Sequence, residues 1–345
     1  MSEAARREDV RRIDPEAGIL TGEGAQQRVR EPEPVAAETA WDGQPVAHAD
    51  PTYYDRPVLK EPVWKWYVPV YFWLGGASGA AASLGAAAQA ADREGLAGLV
   101  TRARWVAAAG GAAGTGLLIA DLGKPSRFLN MLRVFRASSP MSVGSWVLSG
   151  FEPLAGLSAV LAGSDRGALS LAGNAAGLAA GALGAPLASY TAVLLGNTAV
   201  PVWSATRRRL PALFVASGAT AGASLLGMLE LDEREERIVR RFGIVGKLAD
   251  LAASRAVEDA ASRVERVGAV LHEGVAGALW RASEALTAAS LLLSLLPGRR
   301  SRARRTVEGV LGAAGSLAMR FAIARAGTES ARDPRATFHQ QRAGG

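Results

Sequence analysis

The distribution of charge constrains this chain more than any other feature. From about residue 64 to residue 325 the sequence falls into long, charge-poor Ala/Leu/Gly/Val runs. Several of them reach or approach the roughly 18–20 apolar residues that cross a bilayer. A soluble core does not need so many runs of that length. The chain therefore reads as all-α, a polytopic membrane helix bundle of about eight transmembrane helices.

Composition then removes whole classes of chemistry. The 345 residues include no cysteine, which excludes disulfides, thiolate catalysis, iron–sulfur clusters and cysteine-ligated zinc within the chain. The histidines are His48, His272 and His339, and two of them sit in polar ends, so paired imidazoles for an intramembrane haem are not expected. Any electron chemistry must use a partner's cofactors. The formal net charge of +7 would suit nucleic acid. The arginines, however, sit between apolar runs, as in Arg207-Arg208-Arg209 and the R-R-S-R-A-R-R stretch at 299–305. Cations at helix ends facing lipid head groups explain them, and no nucleic acid is expected. The opening M-S-E-A-A-R-R-E-D-V has no apolar stretch behind it, so neither a cleavable signal nor a twin-arginine signal is expected.

Residues 1–62, with E-P-E-P and few large apolar groups, read as a disordered or partner-draped polar tail. A transmembrane domain follows over 63–326, opening on an interfacial aromatic cluster of Trp64, Trp66, Tyr67, Tyr71, Phe72 and Trp73. Its spans are expected at about 66–90, 104–121, 140–162, 168–204, 211–229, 238–256, 277–297 and 306–325, with a polar tail over 327–345. Residues 168–204 allow one long helix kinked at Pro186 or two short spans. Residues 238–275 carry ten or so charges and allow either an amphipathic surface helix or a poorly hydrophobic span sheltered by its neighbours. Arginines lie in loops on both sides, so they choose no orientation. Small-x-x-x-small pairs at Gly75/Gly79, Gly110/Gly114, Gly177/Gly181 and Gly218/Gly222 suit close helix packing.

Chemistry concentrates in L-L-I-A-D-L-G-K-P-S-R-F-L-N-M-L-R, residues 117–133, and R-A-S-S-P-M-S-V-G-S-W-V-L, residues 136–148. An apolar run ends in Asp121, Lys124 and Arg127 follow a Gly123/Pro125 break, and Pro140 suits the first turn of the next helix. This spacing can gather a carboxylate, two cations and the hydroxyls of Ser139, Ser142 and Ser145 at one membrane-edge pocket. It also suits a salt-bridged loop with a capped helix. A phosphate loop is excluded, because Pro125 follows Gly123-Lys124 and Leu118 stands where the upstream glycine is required.

D-L-G-K-P-S-R-F-x-x-M-L followed by S-P-M-S-x-G-S-W resembles the signature of the NrfD/PsrC-type membrane subunits of polysulfide-reductase-like oxidoreductases. S-Y-T-A-V-L-L-G-N-T-A-V-P-V-W, residues 189–203, and L-P-A-L-F-V-A-S-G, residues 210–218, resemble later family segments. The resemblance covers roughly residues 60–230 and thins beyond 240. Ala192 and Val143 depart from the family pattern, and the first span lacks Asn and His, leaving Ser78 and Gln89 as its polar candidates. The resemblance implies an eight-helix anchor of two four-helix halves in the plasma membrane, exchanging electrons and protons with menaquinone or ubiquinone. It also implies a ferredoxin-like iron–sulfur subunit docked beside the quinone site and linked to a molybdopterin-type catalytic subunit.

Quinone-binding or proton-relay candidates are Asp121, Lys124, Arg127, Ser142, Trp146, Glu152 and Tyr190. Tyr190 can donate from its phenol or be an ordinary interfacial tyrosine. Asp121 can relay protons or pair with Lys124 or Arg127, and Trp146 can wall a pocket or simply pack. Glu152, about a dozen residues into its span, suits proton transfer if buried. Asn197 suits helix–helix hydrogen bonding, and Glu284 can neutralise Arg281 one turn away. Two other functions compete. One is a structural anchor without quinone chemistry. The other is a secondary transporter, which would show paired broken spans in two halves; only the region near Gly184–Pro186 is broken.

Overall fold

A computed structural model describes residues 58–343, apart from 123, 125, 165, 166 and 299, together with two short strands nearer the start of the chain. These strands, β1 (Ile13–Asp14) and β2 (Ile19–Leu20), pair antiparallel with Ile13 opposite Leu20. The rest of the expected tail up to residue 57 lies outside the described residues.

The body from Val58 onward is helical. Its elements are α1 (Tyr67–Asp92), α2 (Ala97–Asp121), α3 (Ser126–Asn130), α4 (Pro140–Val160), α5 (Gly167–Gly196), α6 (Pro201–Ala205), α7 (Leu210–Gly227), α8 (Glu233–Ala261), α9 (Glu265–Ala269), α10 (Gly274–Leu295), α11 (Arg302–Arg332) and α12 (Pro334–Ala343). Three of them, α5, α7 and α11, are long and apolar enough by length and composition to cross a membrane. The 168–204 stretch is one long helix through Pro186, followed by the short α6. The polar tail expected over 327–345 is helical almost throughout its described residues. Helix α11 continues to Arg332, α12 follows, and Ala336 and Thr337 are buried.

Helix α1 packs against α2, α5, α7 and α11, while α4 packs on α5, α8 on α7, and α10 on α11. Small residues permit this. A Cβ on Gly79 would strike the Gly184 carbonyl of α5, and one on Gly218 would fall 2.8 Å from the Gly76 carbonyl oxygen. By contrast, a Cβ on Gly75 would meet nothing. The chain runs back and forth between two ends. At the first end Trp64 stacks on Trp203 (5.0 Å, 16°), whose indole donates to the Ile323 carbonyl at 2.9 Å. At the opposite end Arg234 pairs with Asp92 at 2.6 Å and Arg305 with Glu236 at 2.8 Å. The Gly95 N–H and the Arg234 guanidinium hold the exposed Asp92 carboxyl below its ordinary range.

Helix α8 starts on a reciprocal cap. Asp232 accepts from the Arg234 and Glu235 N–H groups (2.7 and 2.8 Å), and Glu235 accepts from the Asp232 N–H at 3.2 Å. Asp232→Ala is expected to cost about 1 kcal/mol, read as an earlier midpoint in a denaturant titration in detergent. Glu235→Ala removes more than a cap, since Glu235 also accepts from the Leu99 N–H of α2 and pairs with Arg102 at 3.6 Å.

The sidedness of α8 bears on the two readings of 238–275. Through its middle, polar residues face inward and apolar ones face out, while Arg237, Arg241, Arg255 and Asp259 toward its ends are exposed and Val239 and Val257 are buried. Lys247, Asp250, Ser254 and Glu258 are buried, while Val245 is 64% and Leu248 52% exposed. A surface helix would show the reverse arrangement.

Candidate functional site

The two motifs quoted for 136–148 and 189–203 meet at the first end of the bundle. Ser139 caps α4 by accepting from the Ser142 N–H, and Pro140 occupies the first turn, which leaves Gly144 facing α5. The Tyr190 ring of α5 lies flat where a Gly144 Cβ would stand. Leu118, Phe128, Val147 and Tyr190 all pack against the same apolar cluster. Among the described residues the Tyr190 phenol has no hydrogen-bond partner.

Other sequence candidates are placed differently. Asp121, Lys124 and Arg127 are exposed, and among the described residues no ion pair joins them; Arg127 donates only to the Leu122 carbonyl at 3.4 Å. Ser142 is committed to its own loop, accepting from the Arg136 N–H (3.0 Å) and donating to the Val134 carbonyl (3.1 Å). Ser145 donates back to the Met141 carbonyl at 2.8 Å. Trp146 is 44% exposed and meets Phe135 edge-on at 6.2 Å, away from the Tyr190 contact. Asn197 donates to the Val193 carbonyl of its own helix rather than to a neighbouring one. Arg281 donates to the His272 carbonyl at 2.5 Å, and the charges around Glu284 are Glu258, Arg255 and His272.

Glu152 is half-buried and faces α2, where Gly111 makes room for its carboxylate and Thr115 lies beside it. Glu152 Oε1, Thr115 Oγ1, Ser149 Oγ and Ser78 Oγ are all buried without a hydrogen-bond partner. Ser78 lies across α2 from this carboxylate, against Gly110. Eight residues of α4, about 12 Å of rise, separate Glu152 from Gly144. The carboxylate thus sits about two turns deeper in the bundle than the Tyr190 phenol.

Beside this end, an apolar groove of about 510 Å³ runs between α5, α7 and α8, lined by Ser189, Pro211, Val215, Phe242, Val245 and Ala249 among others. Its volume falls in the range of small-molecule sites. Ser189 is the residue next to Tyr190.

Several buried polar residues were not among the sequence candidates. Arg104 of α2 binds Gln89 Oε1 (2.8 Å), Asn174 Oδ1 (2.7 Å) and the Ser158 carbonyl (3.3 Å), tying four helices at the opposite end. Its signal in the sequence was a second arginine two residues past Arg102, inside an otherwise apolar run. Lys247 and Glu308 pair at 3.0 Å in the second half of the bundle, and Arg320 of α11 faces Asp250 of α8. Their signal was the i, i+3, i+7, i+11 spacing of Lys247, Asp250, Ser254 and Glu258. Among the described residues no three His, Asp or Glu side chains gather as a metal site.

A family model described as "Polysulphide reductase, NrfD" matches residues 57–329. The match runs through α8, α10 and α11, well beyond the 60–230 stretch where the motifs were recognised. No curated protein matches the chain.

Proposed function

Because the chain belongs to the polysulphide reductase NrfD family, whose members are membrane subunits of quinone-linked oxidoreductases, we propose that it is the quinone-interacting anchor of such a complex. It passes electrons between a quinone pool, menaquinone or ubiquinone, and a ferredoxin-like iron–sulfur subunit linked to a molybdopterin-type catalytic subunit. The membrane is the plasma membrane. All eight long helices cross it, α8 included, since Val245 and Leu248 suit lipid while the α8 charges are sheltered inside.

The observation that carries this reading is the Tyr190–Gly144 contact. It brings two separately recognised motifs together and leaves a phenol without a hydrogen-bond partner among the described residues, while the preceding residue, Ser189, lines an apolar groove. These residues suit a quinone: a donor for a carbonyl, an apolar channel for a prenyl tail, and no competing cation. A bound quinone supplies a lipid-soluble two-electron, two-proton couple. Tyr190 Oη donates a hydrogen bond to a carbonyl oxygen and fixes its position. Ser189, which already donates to the Pro186 carbonyl at 3.2 Å, keeps its oxygen free to accept. Glu152 Oε1 holds or releases the proton, with the unpaired hydroxyls of Thr115 and Ser149 as stations near it. Asp121, exposed at the first end, exchanges protons with water. Lys124 and Arg127 present positive charge to lipid phosphates or to a partner's acidic face.

The test is purification of the full chain in mild detergent, with identification of co-eluting chains and extraction of quinone. A cysteine-rich iron–sulfur chain recovered together with quinone is the expected result. Tyr190→Phe should then weaken binding of a quinone-site inhibitor about tenfold, the effect of one hydrogen bond to a buried polar atom. The iron–sulfur chain without quinone would establish a structural anchor, and recovery of neither would overturn the assignment.

A further inference from the structure

The second half of the bundle carries a feature that the Tyr190 site does not use. Helix α8 turns one polar stripe inward from Glu236 to Glu258, through Lys247, Asp250 and Ser254. Those 22 residues rise about 33 Å, close to the hydrocarbon thickness of a bilayer. Helix α10 turns Ser294 to Lys247 of the stripe and Ser283, Thr287 and Ser290 toward α11, each at most 4% exposed. Helix α7 adds Ser217, Thr220 and Ser224, and α11 adds Glu308, Ser316 and Arg320, all buried.

Side chains connect along this column. At the opposite end Glu236 pairs with Arg305 (2.8 Å) and Arg300 (3.3 Å), and Arg300 also pairs with Glu308. Glu308 Oε1 accepts from Lys247 Nζ (3.0 Å) and Ser294 Oγ (2.6 Å), and the Ser290 hydroxyl donates to the Glu308 carbonyl at 2.8 Å. One turn farther along α8, Asp250 lies beside the Thr220 hydroxyl and faces Arg320, without an ion pair between them among the described residues. Arg320 donates instead to the Phe214 carbonyl at 2.8 Å and lies 3.7 Å over the Phe214 ring. At the first end Glu258 accepts from the Trp280 indole (2.8 Å) and from Arg255 (2.6 Å), with Glu284 alongside.

A column built only to glue helices would close its hydrogen bonds. This one leaves Ser217 Oγ, Ser224 Oγ, Arg300 Nε and two Arg320 nitrogens buried without partners. Unpaired buried polar atoms are costly, and water is the usual partner that removes the cost. Ionisable groups inside a membrane are themselves the commonest mark of an ion or proton path.

We infer that this column is a proton-conducting path through the second half of the bundle, separate from the Tyr190 site. Fixed positive charges at Lys247, Arg300 and Arg320 repel metal cations. A proton passes by hopping, each carboxylate taking one from the water behind it and releasing one to the water ahead. Glu308 receives it at the opposite end, Asp250 holds it at mid-membrane, and Glu258 releases it at the first end. Lys247 and Arg320 close the path between transfers by attracting the two inner carboxylates. No electron moves in this sequence, and the inference does not rest on quinone binding.

The experiment uses the full chain reconstituted in liposomes without partner or quinone, with a potassium gradient and valinomycin driving proton uptake onto an internal pH dye. Uptake well above that of protein-free liposomes is expected. Asp250→Asn and Glu308→Gln should each slow it about a hundredfold, the usual loss when a positioned proton carrier is removed. Asp250→Glu should conduct nearly as the native chain, and so should Asp92→Asn, which alters only an exposed ion pair. If Asp250→Asn fails to fold with Arg320 left unneutralised, the double variant Asp250→Asn/Arg320→Gln removes both charges and should remain slow. Uptake no faster than in empty liposomes, or native rates in the folded Asp250→Asn, Glu308→Gln or double variants, would overturn the proposal.

Discussion

Lys247→Met is expected to destabilise the folded chain by about 3 kcal/mol, at the lower edge of what breaking a buried ion pair costs. Lys247 is 2% exposed and serves both Glu308 and Ser294. Removing its ammonium leaves the Glu308 carboxylate with the Arg300 guanidinium and the Ser294 hydroxyl, so the loss is large but short of an orphaned charge. Glu308→Leu has a different consequence. It leaves Lys247 with only a hydroxyl partner, whereas Arg300 keeps Glu236 at 3.3 Å. Glu308→Leu therefore strands a charge that the double variant removes, and Lys247→Met weakens a pairing that the double variant no longer needs. A double-mutant cycle should give a coupling of about 2 kcal/mol, so that Lys247→Met/Glu308→Leu is far less damaged than the sum of its parts. The measurement is reversible unfolding in mixed micelles followed by tryptophan fluorescence. Additive losses would mean that the two residues do not share one network.

This network also shows why the chain is only partly legible before it is folded. The apolar runs announce helices because lipid leaves few alternatives, and the family signature lies in short, contiguous segments such as S-P-M-S-V-G-S-W. In 238–275 the residue types alone do not say which face meets lipid. The same helical spacing describes a surface helix with charges in water and an inward stripe such as Lys247, Asp250, Ser254 and Glu258. What decides is the set of partners brought from elsewhere in the chain. Ser294 and Glu308 stand 47 and 61 residues from Lys247, and neither is visible from α8 alone. The polar stretch after 327 is a second case. Gly327 is small because the Trp203 indole lies against it, and Ala336 and Thr337 are buried by tertiary contact that local composition does not record. Within the site, linear spacing suggested that Asp121, Lys124, Arg127 and Ser142 converge. In the structure the side chains of Asp121, Lys124 and Arg127 are exposed, and Ser142 turns back to its own loop.

Gly144→Ala should be the most damaging single-methyl change in the chain for quinone chemistry. Its Cβ would stand within the Tyr190 ring, and neither backbone is free to withdraw: Ser139 and Pro140 fix the start of α4, and Tyr190 packs against both apolar clusters of the bundle. Overpacking of this kind costs about 1–3 kcal/mol, and the ring rather than the helices must yield. The phenol then leaves the position from which it donates. A displacement near 1 Å at a reacting centre is enough to lose about a hundredfold in rate, so quinol-dependent turnover of the purified complex should fall by that order. The protein itself should stay folded. Tyr190→Ala in the same background removes the obstruction, and Gly144→Ala/Tyr190→Ala should regain most of the lost stability while staying inactive. That pattern separates a positioning role from a merely structural one. If Gly144→Ala instead loses stability but keeps its turnover, Tyr190 does not hold the quinone. The free phenol would then have to be explained by packing alone.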